Sequence, residues 1–326
     1  MEIALQVLLL IIGFILLIKG ADWLVDGASS VASNFKVSKL LIGLTIVAFG
    51  TGAPELAVSF SSLINGTTDI LIGNVIGSNI VNVLLLIGVA AVIHPIKVKK
   101  DTVSKELPLL LLISTALIVL LLDVNLADAL INTFSRADAI ICLLFFAIFL
   151  YYLIAMARKN RRGRNAKKEV EKPKYKLGKS FLLVVIGLAG VVGGSQLVVD
   201  SASFIATAVG ISERIISLTI IAIGTSLPEL VTTVTAARKG ESDLLVGNIV
   251  GSNIFNICIV LALPVVFAGG ITPDNFEIID LAMLILSSVL LCFLARQDHK
   301  ISRMDGVLML IIFAVYYGYL IYGVFA

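Results

Sequence analysis

The feature that most constrains this chain is a series of long apolar segments that recurs along its whole length. A helix needs about 20 apolar residues to cross a bilayer core of roughly 30 Å. Of the 326 residues, 59% are hydrophobic and only 14% are charged, which is atypical of a soluble domain. The pattern predicts an all-α integral membrane protein with ten transmembrane helices, at residues 3–32, 39–65, 70–94, 106–123, 137–156, 178–208, 213–237, 244–267, 278–295 and 304–325. The first and sixth exceed one upright crossing, so we expect them to tilt or bend.

Lysine and arginine residues are concentrated in alternate loops, and such loops are cytoplasmic in most membrane proteins. The most basic loop, residues 157–177, is therefore expected to be a cytoplasmic linker without regular structure. Both termini would then be extracytoplasmic, in the plasma (inner) membrane. The net charge of +3 does not indicate a nucleic-acid partner, because the basic residues lie in short loops between apolar segments. The partner that the sequence indicates is the lipid bilayer, and no obligatory protein partner is evident.

The two halves of the chain repeat each other at a constant offset of 174 residues. Between residues 43–82 and 217–256, 19 of the 40 aligned positions are identical, and no gap is needed. Similarity at a fixed offset is typical of repeated structural units. The sequence therefore predicts a first five-helix repeat at residues 1–156 and a second at residues 178–326, joined by the linker.

Each predicted repeat contains an odd number of spans, so the second would enter the membrane from the opposite side. Two inverted-topology repeats related by an axis in the membrane plane are typical of secondary transporters, whose substrate sites lie near the midplane between the repeats. A channel can share this plan, so the topology favours transport without fixing its type.

A glutamate lies near the middle of the second span and another in the middle of the seventh. Glu55 and Glu229 occupy equivalent positions in the elements G-T-G-A-P-E and G-T-S-L-P-E. An ionisable side chain at that depth costs at least about 2.5–3.5 kcal/mol. A buried glutamate can be protonated or paired, but no lysine or arginine lies within the second, third, seventh or eighth span to pair with it. Two equivalent carboxylates favour a cation site.

Pro54 and Pro228 come directly before these glutamates. Proline has no N–H, so each disrupts the helical bond to the carbonyl four residues earlier, at Gly50 and Gly224. Carbonyl groups freed at membrane depth need another partner. We expect a bound cation to supply it.

A second polar element follows in the next span of each half. Its polar side chains recur every four residues and share one helix face, at Asn74, Ser78, Asn82, Asn248, Ser252 and Asn256. Hydrogen bonding between helices would explain this stripe, but its coincidence with the carboxylates favours cation binding. Gly73 and Gly77, with Gly247 and Gly251, fit a small-residue face for close helix packing.

All of these candidate ligands are oxygen atoms, from carboxylate, amide, hydroxyl and main-chain groups. Hard cations such as Ca²⁺ and Na⁺ prefer this set, whereas zinc or copper would favour thiolate or imidazole. Two carboxylates also balance the charge of one Ca²⁺.

The paired G-T-x-x-P-E and G-N-x-x-G-S-N-x-x-N elements resemble the α-repeats of the calcium/cation antiporter superfamily, and best those of its sodium/calcium exchanger family. The resemblance covers essentially the whole transmembrane chain. It implies ten helices and electrogenic exchange of Na⁺ for Ca²⁺ by alternating access, with both ions as substrates and no cofactor. Glu55 and Glu229 resemble the shared Ca²⁺ ligands, helped by main-chain oxygens of Thr51 and Thr225. The complete set of metal-binding residues that it implies is Glu55, Glu229, Thr51, Thr225, Ser226, Ser78, Ser252, Asn82, Asn256, Ala48 and Ala222.

Within this set the implied Na⁺ sites use Thr51, Ser78 and Glu55 in the first half. In the second half they use Thr225, Ser226, Ser252 and Glu229, while Asn82 and Asn256 resemble the residues of the middle site.

Two positions depart from the family pattern. Gly52 stands where the second half has Ser226 and where relatives often have serine, so one Na⁺ site lacks a hydroxyl. Asn256 stands where some relatives, including those that cotransport potassium, have aspartate, which weakens the case for potassium.

Three alternatives remain open from the sequence. A proton/calcium antiporter is the nearest, because two glutamates could carry protons. A cation channel is less favoured, since it needs a continuous pathway. An enzyme is disfavoured, because the sequence has no nucleophile–base pair and no histidine-based metal motif.

The loop charges generate a prediction about orientation. A cysteine introduced at Asn165, in the middle of the linker, should be shielded from a membrane-impermeant thiol reagent in intact cells and react after permeabilisation. Labelling of N165C in intact cells would contradict the orientation and the cytoplasmic linker together.

Overall fold

The computed structural model of the chain describes residues 2–126, 130–163, 173–210, 222–272 and 278–325. The first half contains α1 (Glu2–Phe35), α2 (Lys39–Ile42), π1 (Gly43–Val47), α3 (Ala48–Thr51), α4 (Ala53–Ile64), α5 (Thr68–Val81), π2 (Asn82–Ile87), α6 (Gly88–Ile93), β1 (Ile96–Lys97), π3 (Thr102–Glu106), α7 (Leu107–Leu121), α8 (Asp123–Leu126), β2 (Phe134–Ser135) and α9 (Arg136–Gly163), where π denotes a π-helical turn. The second half contains α10 (Leu177–Ala208), α11 (Ala222–Thr225), α12 (Leu227–Arg238), α13 (Ser242–Phe255), π4 (Asn256–Leu261), α14 (Ala262–Ala268), β3 (Gly270–Ile271), α15 (Ile278–Arg296), β4 (Lys300–Ile301) and α16 (Arg303–Phe325).

Eight helices in these ranges are long and apolar enough to cross a membrane, and a bent pair would make a ninth. The bent pair consists of Lys39–Thr51 and Ala53–Ile64, with 43° between its two parts. These helices coincide with nine of the predicted spans. The tenth, at 213–237, begins outside the described residues and continues as α11 and α12, so the number ten stays a prediction. The chain is an all-helical, multi-pass membrane protein.

The predicted linker lies largely outside the described residues, but its beginning differs from expectation. Helix α9 continues to Gly163 instead of ending near residue 156. The added part contains Arg158, Arg161 and Arg162. Basic side chains at a helix C-terminus interact favourably with the helix dipole, which explains how α9 extends beyond its apolar segment.

Helices α1 and α10 are the longest elements, with 34 and 32 residues, and each is continuous. They run antiparallel, because Gly13 lies against Val198 whereas Gly27 lies against Val184. At the middle of the contact, a Cβ on Gly20 would lie 2.7 Å from the main-chain nitrogen of Val191. The two backbones therefore touch, and only glycine permits this approach.

The small-residue face predicted on α5 and α13 is seen directly in α13. A Cβ on Gly247 would lie 2.5 Å from the carbonyl oxygen of Leu40, and one on Gly251 would lie 2.8 Å from the main chain of Leu44. Helix α13 thus packs closely on α2, π1 and α3. For Gly73 and Gly77, none of the described residues lies within 4 Å of such a Cβ. The segment that corresponds to the partner of α13, at the offset of 174, falls mainly among the residues that are not described.

The turn between α12 and α13 is tied to α1 by ion pairs. The ammonium group of Lys239 lies 3.2 Å from Asp22 and 3.0 Å from Asp26. Lys174, at the end of the linker, lies 2.6 Å from Asp26. The hydrogen bond from Lys174 to Asp26 raises the pKa of this lysine. One aspartate on α1 therefore connects the linker with the second half.

The same turn also contacts two neighbouring loops. Glu241 accepts a hydrogen bond of 2.9 Å from Lys39, and Asp243 accepts one from Lys99. Beside them, β1 pairs antiparallel with β4 and joins the loop before π3 to the loop before α16. At the other set of loops, β2 pairs antiparallel with β3.

The contact between α1 and α10 generates a prediction about stability. We expect Gly20→Val to lower the free energy of unfolding by on the order of 1–3 kcal/mol, because a larger side chain would force the two backbones apart. The measurement is the Tm of the purified protein in detergent. Gly318→Val is the matched control, since no described heavy atom lies within 4 Å of a Cβ there. Equal Tm values for the two variants would contradict the close contact.

Candidate cation-binding site

Both candidate glutamates lie in the first turn of a helix that follows a break. Gly52 interrupts the chain between α3 and α4 with φ −79° and ψ 3°, and Ser226 interrupts it between α11 and α12 with φ −89° and ψ 3°. A proline stands near the start of each new helix, where its missing N–H leaves no helical bond unmade. Glu55 and Glu229 are thus placed at helix N-termini, where a negative charge is favoured.

Nearly all of the candidate ligands are removed from solvent. The side chains of Glu55 and Glu229 are each only 1% exposed. Thr225 is half-buried, and Ala222 is the first residue of α11, of whose side chain nothing further is described. The buried members of the set are Ala48, Thr51, Glu55, Ser78, Asn82, Ser226, Glu229, Ser252 and Asn256.

Several buried oxygen atoms in this set have no hydrogen-bond donor among the described residues. They are Glu55 Oε2, both carboxylate oxygens of Glu229, Asn82 Oδ1, Asn256 Oδ1 and the hydroxyl oxygens of Ser226 and Ser252. Within the same ranges, the ion pairs do not include either glutamate. Burying such oxygens without a partner costs several kcal/mol in total. A cation would offset this cost, and the donor set fits a hard cation.

Contacts between the halves bring part of the predicted set together. Glu55 and Glu229 are close enough for their charges to repel each other, and Thr51 lies beside the Glu229 carboxylate. The hydroxyl oxygen of Thr51 is 3.5 Å from Oδ1 of Asn248, and it donates to the carbonyl of Val47 at 3.1 Å. The first half therefore supplies groups to the surroundings of the second-half glutamate.

Ala48 is placed against the other half as well. Its Cβ lies 2.8 Å from the position that a Cβ on Gly251 would take, next to Ser252. For Ser78, Ser226 and Asn256 the structure gives burial but no contact with either glutamate within the described ranges.

An asparagine network joins α5 and π2 to α13, and the sequence did not single it out. Asn82 donates through Nδ2 to Oδ1 of Asn253 at 2.9 Å, and Asn253 donates to the carbonyl of Asn79 at 3.4 Å. Asn79 in turn donates to the carbonyl of Val75 at 2.7 Å. Asn79 and Asn253 are both present in the repeated motif, so a signal existed, but they lie off the four-residue stripe. This network fixes the amide of Asn82 with its Oδ1 free of donors.

The carbonyl group freed by Pro228 has a protein partner. Ser195, on α10, donates from its hydroxyl to the carbonyl of Gly224 at 2.9 Å. A side chain therefore satisfies this carbonyl, where we expected a cation to do so. The residue that corresponds to Ser195 in the first half is Ala21, which has no hydroxyl. The repeat pattern could not indicate this contact because it exists on one side only.

Comparison with known proteins places the chain among ion exchangers. The sequence profile described as "Sodium/calcium exchanger protein" matches residues 5–155 and 179–322. The chain is 38% identical over 311 residues to the inner membrane protein YrbG of Escherichia coli, covering 92% of each chain. It is 32% identical over 348 residues to the sodium/calcium exchanger MaX1 of Methanosarcina acetivorans, covering 98% of this chain and 99% of the relative.

A solved structure of the sodium-calcium exchanger NCX_Mj has the same fold. It superposes with a TM-score of 0.82 at 34% identity, over 96% of this chain and 98% of the other. The resemblance inferred from the repeated motifs is thereby confirmed at the level of the family. The chain belongs to the sodium/calcium exchanger family, and it is a membrane transporter and not an enzyme.

Proposed function

We propose that this protein exchanges Na⁺ for Ca²⁺ across the plasma (inner) membrane by alternating access. The observation that carries this proposal is the pair of buried glutamates, each placed after a helix break and surrounded by oxygen atoms without donors. The two carboxylates balance one Ca²⁺, whereas several Na⁺ ions would distribute over more oxygen ligands. Exchange of several Na⁺ for one Ca²⁺ would move net charge.

The proposed ligands divide between the two ions. Glu55 and Glu229 would bind Ca²⁺ together with the main-chain oxygens of Thr51 and Thr225. The remaining proposed ligands would bind Na⁺ with these groups or complete the middle site, and they are Ser78, Ser226, Ser252, Asn82, Asn256, Ala48 and Ala222. The proximity of Thr51 to Glu229 supports a site shared by both halves.

We propose that this site lies at the midplane between two inverted five-helix repeats, at residues 1–156 and 178–326. The linker at 157–177 would be cytoplasmic and both termini extracytoplasmic. Matching elements at the offset of 174 support the repeat, since the helix breaks at Gly52 and Ser226 have the same backbone conformation. Odd numbers of spans in each repeat would account for ten helices.

A proton/calcium antiporter is the second candidate. The observation that favours it is that the same buried carboxylates could bind protons in place of Na⁺. The hydroxyl and amide oxygens around them favour Na⁺, because a proton carrier does not need neutral ligands.

The ligand assignment leads to a prediction about charge. We expect Glu55→Gln or Glu229→Gln to reduce Ca²⁺ transport by about a hundredfold or more, since removing one partner of a buried charge pair costs about 3–5 kcal/mol. The measurement is Ca²⁺ uptake into proteoliposomes. Glu106→Gln is the matched control, because Glu106 is also buried but accepts a hydrogen bond from Tyr152. Near-normal uptake by E55Q or E229Q would show that the glutamate in question is not a ligand.

The identity of the coupling ion leads to another prediction. An outward Na⁺ gradient should drive Ca²⁺ uptake into proteoliposomes at constant pH, and a membrane potential should change the rate, because the exchange of several Na⁺ for one Ca²⁺ moves charge. The comparison is with a proton gradient in the absence of Na⁺. Uptake that follows protons and ignores Na⁺ would favour the proton antiporter, and Ca²⁺ flux without any counter-ion gradient would favour a channel.

A further inference from the structure

The residue at the break of the first half faces an aromatic ring. A Cβ on Gly52 would lie 3.0 Å from Cδ1 and 3.3 Å from Cε1 of Phe255, closer than carbon atoms normally pack. Gly52 and Ser226 share one backbone conformation, and Ser226 carries a Cβ in it. The conformation of the break thus accepts a side chain, and the ring of Phe255 opposes one in the first half.

The ring of Phe255 is held in place by two others. It stacks on Phe49 with centroids 4.9 Å apart and 25° between the planes, and it meets Phe146 edge-on at 6.4 Å. Phe49 and Phe146 are themselves 5.7 Å apart. These three residues, the phenylalanine cluster, form a buried group in which one ring cannot withdraw without moving the others.

The second half has no such cluster at the corresponding positions. At the offset of 174 residues the three phenylalanines correspond to aliphatic residues, Ile223, Leu320 and Val81. The pair Gly52 and Phe255 in one half thus stands for Ser226 and Val81 in the other. A small residue at the break goes with a large one on the facing helix, and the reverse, so that the sum of the two sizes changes little.

We propose that Phe255 is a specificity-determining residue that closes the first-half position to a hydroxyl ligand for Na⁺. Its ring fills the volume in which a hydroxyl from position 52 would stand. The first-half Na⁺ ligands are then Thr51, Ser78 and Glu55, one fewer than in the second half. This inference rests on the proposed function. It makes the two Na⁺ sites unequal, with the weaker one in the first half.

The test restores the hydroxyl with and without room for it. We expect G52S/F255V to lower the Na⁺ concentration at half-maximal stabilisation of the purified protein about fivefold, the effect of one added polar contact. The readout is the rise of Tm with Na⁺ in the absence of Ca²⁺. G52S alone should lower the Tm and give no gain in Na⁺ affinity. G52A/F255V is the matched control, since it supplies the Cβ and the space without the hydroxyl, and it should also give no gain.

An equal gain in G52S alone would overturn the proposal, because the ring would then exclude nothing. A folded double variant without any gain would overturn it too. V81F tests the same idea in the second half without depending on the folding of the double variant. It should place a ring against Ser226 and raise the half-maximal Na⁺ concentration severalfold, and an unchanged value would contradict the proposal. The Tm readout does not require coupled transport, so a failure of Na⁺-driven uptake in the unaltered protein would count against the proposed function alone.

Discussion

The constraint on which the structure depends is the burial of two carboxylates inside a membrane protein. Each costs at least about 2.5–3.5 kcal/mol at that depth, and the described residues provide neither glutamate with an ion pair. The surrounding features reduce this cost. The helix breaks place Glu55 and Glu229 at helix N-termini, and the amides of α5 and α13 present oxygens towards the interior. Close packing by glycine then holds these elements together, so that the polar interior is kept in a rigid apolar scaffold.

Much of this arrangement could be predicted from the sequence, because it is local or repeated. Apolar length located the spans, and the offset of 174 residues paired Glu55 with Glu229. What could not be predicted are contacts between distant segments. The backbone contact of Gly20 with Val191 and the hydrogen bond from Asn82 to Asn253 depend on which helices become neighbours. Neither composition nor periodicity carries that information, since an apolar helix face fits many partners in a bilayer.

The two halves are similar in sequence but unequal in their contacts. The turn between α12 and α13 forms ion pairs through Lys239, whereas the corresponding position of the first half is Asn65, which has no charge. Ser195 supports the carbonyl of Gly224, whereas Ala21 cannot support that of Gly50. Under alternating access, an exchange of roles between the halves would break contacts that the other half cannot replace. The two end states of the transport cycle would therefore differ in free energy.

The wide turns π2 and π4 begin at Asn82 and Asn256 and end at Ile87 and Leu261, which are equivalent positions of the two halves. A π-helical turn is an α-helix with one extra residue taken up in a single turn. Removing one residue within that turn would leave both flanking helices in phase, whereas a deletion elsewhere would rotate everything beyond it by about 100°. Because both halves carry the same extra residue at the same place, its insertion predates the duplication from which the two halves arose.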